Sequence, residues 1–155
     1  MSQIAELGTK LENVPNILAR YEAALDGVEE QLKIEGKTLE VANRETPVWL
    51  AYYDERRVEL HTLVKYFEMK VKRVRGKLYK SYTDGPKSNR EHSDRVKDKY
   101  IDNEEAYLTM NEVFLEVEEI YNKYAAVVNA FEKRGYTLNN ITKARVAAVE
   151  SDIIT

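Results

Sequence analysis

Three times along this chain the apolar residues recur at alternating spacings of three and four, which lines them up along one face of a helix packed on others. Leu11, Val14, Leu18, Tyr21, Leu25, Val28 and Leu32 carry the rhythm first, up to Gly36. Pro47 then predicts a restart, because proline disfavours helix at Thr46 and is tolerated in a first turn. The second run is Tyr53, Leu60, Val64, Phe67, Val71, Val74 and Leu78, with Arg57 on the one step that should be apolar. "YTDGPKSN" ends it, since Asp-Gly-Pro cannot continue a helix. The third run, Tyr107, Met110, Phe114, Val117, Tyr121, Tyr124, Val128 and Phe131, extends to Gly135, a candidate carboxyl-terminal cap, and Val113, Ile120 and Val127 widen its stripe.

No stretch alternates apolar and polar with turns at hairpin spacing, so the expected fold is all-α: long antiparallel helices forming an elongated helical hairpin or bundle. The expected segments are an amino-terminal helical part over 1–46, a hairpin over 47–135 with its loop at 82–92, and a short carboxyl-terminal helix over 136–155. Long rods in a small chain enclose a thin core and leave apolar seam at its rim, which favours a homo-oligomer.

Charge is divided as sharply as hydropathy. Residues 1–64 carry a net −5, residues 65–99 a net +7, and residues 100–155 a net −5, within a chain of net −3. Six of the eleven residues from Lys70 to Lys80 are basic. On a helical wheel Lys70, Arg73, Lys77 and Lys80 fall opposite the apolar seam, with Tyr66 among them, while Lys72, Arg75 and Tyr79 widen the cationic side. Cations in a row suit regularly spaced phosphates, and tyrosines beside them suit the exposed bases of a single strand.

Other readings of the same band are pairing with acidic neighbours such as Glu116, Glu118 and Glu119, as in a coiled-coil scaffold or assembly protein, and contact with a membrane surface. An enzyme is not expected: there is no phosphate-cradling glycine loop, no HExxH and no nucleophile elbow, and His61 and His92 belong to different segments. No metal or other cofactor is expected. The absence of cysteine fits a reducing compartment, and no apolar run approaches the roughly 20 residues that span a bilayer. A soluble, cytoplasmic protein is the expectation.

The segment "FEKRGYTLNNITKAR", with Arg134, Gly135, Tyr136, Leu138 and Arg145, resembles the carboxyl-terminal part of the UvsY family of phage recombination mediator proteins. The likeness runs back over residues 47 to 150. It implies single-stranded DNA binding by a basic-x-Arg element, here Arg73, Val74 and Arg75, followed by the aromatic "LYKSY" stretch. It also implies a ring-like homo-oligomer held through Phe131, Leu138 and Ile141. As partners it implies a RecA-like recombinase and a single-strand-binding protein in the host cytoplasm. The long helical amino terminus and the basic "DGPKSNREHSDRVKDK" loop depart from the family pattern. The expected interface is Arg73 and Arg75 at the centre, with Lys70, Lys72, Lys77 and Lys80 supporting and Tyr66 and Tyr79 stacking.

Overall fold

The computed structural model describes residues 11–89 and 92–152, and every regular element among them is helical. A 3-10 turn over Leu11–Asn13 leads into α1 (Val14–Ala23), followed by α2 (Val28–Leu32), α3 (Leu39–Asp84), α4 (Asp94–Asp102) and α5 (Glu105–Asp152). The first ten residues of the expected amino-terminal helix, residues 90–91 of the expected loop and the last three residues of the chain lie outside the described part. The chain divides into two compact units. One joins α1 up to Leu18 to Glu59–Tyr121, and the other joins Ala19–Val58 to the chain from Asn122 onward.

The two longest helices pass through residues expected to stop them. Thr38 starts α3, its hydroxyl accepting the Val41 N–H at 3.3 Å, just after Gly36 has turned the chain with a φ of +77°. Pro47, expected to restart the chain, sits inside α3. Proline removes an N–H and crowds the carbonyl one turn back, which ordinarily breaks a helix. Here side chains hold the preceding turn together. Thr46 donates its hydroxyl to the Ala42 carbonyl at 2.7 Å, and the Arg134 guanidinium donates to that carbonyl at 3.1 Å.

Gly135, expected as a cap, lies within α5, so the separate terminal helix expected beyond it is replaced by one continuous helix. Phe131 and Leu138, one turn either side of it, are both fully buried. Packing across that turn outweighs the modest cost of an interior glycine.

The unit that joins Ala19–Val58 to the chain from Asn122 is centred on rings. Tyr53 stacks on Phe131 with centroids 5.5 Å apart and planes 15° from parallel, and it leans on Tyr124 at 6.0 Å. Tyr124 meets Tyr21 edge to face at 5.8 Å and donates its hydroxyl to the Tyr21 carbonyl at 2.8 Å. Tyr53 donates to Gln31 at 2.7 Å, so each buried phenol has a partner. Trp49, the chain's one tryptophan, lies against the same cluster, 6.0 Å from Tyr52 and 6.4 Å from Tyr53.

Arg134, only 4% exposed, closes this unit. Its guanidinium donates to the carbonyls of Leu32 at 3.2 Å, Lys33 at 3.4 Å and Ala42 at 3.1 Å, and to the Thr46 hydroxyl. It lies 3.7 Å from Glu45, whose carboxyl is held below its ordinary range first by a hydrogen bond from Lys37.

The other unit has an aliphatic core of Val14, Ile17, Leu18, Leu60, Leu63, Val64, Ile101, Val117 and Ile120 around Phe67. His61 lies against Tyr121, with centroids 5.5 Å apart.

Replacing Arg134 by methionine keeps most of the volume but removes the donor to the Leu32 and Lys33 carbonyls and leaves the Ala42 carbonyl and the Thr46 hydroxyl bonded to each other. The expected loss is about 2–4 kcal/mol of stability in urea denaturation, because a buried acceptor left without its donor bears its full desolvation cost.

Candidate nucleic-acid interface

The basic residues on the Glu59–Asp84 part of α3 fall into two sets once their neighbours are placed. Arg73, Lys77 and Lys80, at positions i, i+4 and i+7, share one exposed edge, and no carboxylate among the described residues pairs with them. Lys70 continues this edge one turn earlier, with its ammonium 5.3 Å from the centre of the Tyr66 ring. Tyr66 in turn sits edge to face with the buried Phe67 at 5.1 Å, which fixes its ring at the margin of the core.

The other set is already engaged. Lys72 donates to Glu68 at 2.9 Å, and Lys65 donates to the same carboxylate at 3.2 Å. These hydrogen bonds, the one from Lys72 first, hold Glu68 below its ordinary range. Arg75 reaches α4, where it donates to Asp102 at 2.7 Å and to Asp98 at 3.1 Å, while its guanidinium lies 5.5 Å from the Tyr107 ring of α5. The Asp102 hydrogen bond raises the guanidinium further above its ordinary value. Tyr79 donates to Asp94 at 2.9 Å, and Lys97 stands 5.7 Å from its ring.

Arg73 and Arg75, expected to act as a central pair, therefore meet different surroundings: Arg73 faces solvent, and Arg75 is clasped by α4. The carboxylates that meet Arg75 are Asp98 and Asp102 of α4.

Sequence reading missed α4, treating the whole stretch as a basic loop. A signal was present. Asp94, Asp98 and Asp102 stand at four-residue spacing, which is one face of a helix, and Ser93 precedes them at the N-cap position. The fully buried Ile101 seats this helix. Next to it Tyr82 stacks on Tyr100 with centroids 5.8 Å apart and planes 10° from parallel, and the His92 ring is 5.1 Å from Tyr100. Glu104 accepts from Tyr82 at 2.6 Å and also from Lys87.

The residues expected to join subunits lie in the other unit. Phe131 and Leu138 are fully buried there and Ile141 is half-buried. Within this unit Phe131 stacks on Tyr53. Compared with known protein families, with curated proteins and with solved structures, the chain gives no match. No helix among the described residues is long and apolar enough to cross a membrane.

The contacts of α4 carry a pH signature. Asp94 is held below its ordinary range chiefly by the Tyr79 hydrogen bond and then by Lys97, and Glu104 by Lys87 and then Tyr82. A carboxylate depressed in the folded state stabilises while it is ionised, and that contribution disappears as pH falls through the folded value. Amide protection over residues 94–102, corrected for intrinsic exchange, should hold steady from neutral pH downward and fall only below about pH 4, the ordinary carboxylate range. A loss centred near pH 6.5 would place the control at a histidine instead.

Proposed function

We propose that the chain is a non-enzymatic mediator of recombination, which binds single-stranded DNA and helps load a RecA-like recombinase onto DNA coated by a single-strand-binding protein. One observation carries the binding part: the exposed edge of Arg73, Lys77 and Lys80, free of carboxylate partners among the described residues, continued by Lys70 over Tyr66. Each phosphate met by such a cation releases counterion, a gain that does not depend on base sequence. The recombination context rests on the resemblance of residues 47 to 150 to the UvsY family.

The same reading takes the long helices as an antiparallel hairpin. Its support is the order of contacts within each unit: Arg75 with Tyr107 and His61 with Tyr121 in one, Tyr53 with Phe131 and Thr46 with Arg134 in the other. Positions rise along α3 as they fall along α5. A ring-like homo-oligomer belongs to the reading too, supported by Tyr136, Val146 and Val149 of α5, which are 71%, 52% and 61% exposed. An oligomer repeats a weak cationic edge many times, so that separate phosphate contacts act together.

A scaffold without nucleic-acid binding is the second reading, favoured by the pairing of Lys72 with Glu68 and of Arg75 with α4.

Fluorescence anisotropy with labelled oligodeoxythymidine at several salt concentrations separates the two. Binding should weaken steeply with salt, and the combined Arg73→Ala, Lys77→Ala and Lys80→Ala variant should flatten the log–log slope by about 2, at roughly 0.7 per lost contact with a single strand. An unchanged slope counts against this edge. A defined oligomer by light scattering with no oligonucleotide binding near physiological salt establishes the scaffold.

A further inference from the structure

The short helix α4 does more than close the loop between the long helices. Its three aspartates repeat every four residues along one face, and each engages α3: Asp94 accepts from Tyr79, and Asp98 and Asp102 accept from Arg75. Fixed anions in a row against a guanidinium and a phenol are the arrangement that a phosphate backbone would present to the same groups. Beneath and beside α4 lie further groups suited to unstacked bases, namely Tyr107 next to Arg75 and Tyr82 stacked on Tyr100.

The attachment is graded in strength. Asp94, Asp98 and Asp102 are all exposed, so solvent and salt screen their contacts. A helix of nine residues is shorter than the roughly 12–15 that hold in isolation, so α4 depends on its contacts for its shape. Ile101 is the one residue of α4 that is fully buried. A strand already gathered by Arg73, Lys77 and Lys80 brings its phosphates to Arg75 at high local concentration, where the screened aspartates are weak rivals.

We propose that α4 is a built-in competitor for the strand: its aspartates occupy Arg75 and Tyr79 in the free protein, and their displacement uncovers a second contact surface for single-stranded nucleic acid, made of Arg75, Tyr79, Tyr82 and Tyr107. The proposal rests on the reading of the chain as a strand-binding protein. The exposed edge then serves for first capture, and the surface under α4 adds both a phosphate contact and ring faces once the strand is in place. Affinity is set by the difference between the strand's hold on Arg75 and that of α4.

Labelled oligodeoxythymidine and the full chain test this. The Asp98→Asn and Asp102→Asn double variant should bind about fivefold tighter or more, the lower end of ordinary coupling between sites, and its salt slope should steepen by about 0.7 for the added contact. Asp98→Glu with Asp102→Glu, which keeps both charges, should bind as the original chain does. Glu29→Gln with Glu40→Gln, exposed residues of the other unit, makes the same change in net charge and should move affinity less than twofold. A gain equal to that of this control reduces the effect to net charge and overturns the proposal.

Hydrogen exchange on the unaltered chain gives an independent reading. Amides of residues 94–102 should exchange faster when the oligonucleotide is bound, and equal or slower exchange overturns the proposal. A chain that binds the strand, with an asparagine variant that binds no better, refutes only the competitor role. If neither the original chain nor any variant binds, the strand-binding reading falls and the competitor role with it.

Discussion

A single buried guanidinium sets the terms for half of this molecule. Arg134 supplies hydrogen to the carbonyls that end α2, to the turn of α3 ahead of Pro47, and to Thr46 in that turn. A hydrophobic side chain of similar size could fill the space but not answer those acceptors. With the guanidinium in place, α3 runs through a proline, in the same unit as the ring cluster of Tyr53, Phe131, Tyr124 and Tyr21.

The heptad pattern was a sound guide to the all-α class and to much of the core. Tyr53, Leu60, Val64 and Phe67 on α3 and Val117, Tyr124, Val128 and Phe131 on α5 are buried as their spacing demands. It was a poor guide to where helices stop. Pro47 and Gly135 carry strong local signals, and in both cases tertiary contacts won: side-chain donors around one, buried neighbours around the other. Such contacts come from residues about ninety positions away, and no window around Pro47 contains Arg134.

Charge was legible as a total and not as a surface. The count of cations between Lys70 and Lys80 says that positive charge is concentrated there, and the wheel places part of it opposite the core. Neither reveals that Arg75 turns to meet two aspartates while Arg73, two residues away, meets none among the described residues. That division depends on α4, whose polar, turn-flanked sequence hides a helix behind the signs of a loop.

The one tryptophan lies among the rings of Tyr52 and Tyr53, in the unit opposite in character to the basic segment. Excited at the red edge of its absorption, where tyrosine does not absorb, it is a natural optical reporter for the aromatic half alone. Melting followed by that light and melting followed by total ellipticity would coincide only if the halves come apart in a single concerted event, so the chain carries its own built-in gauge of cooperativity.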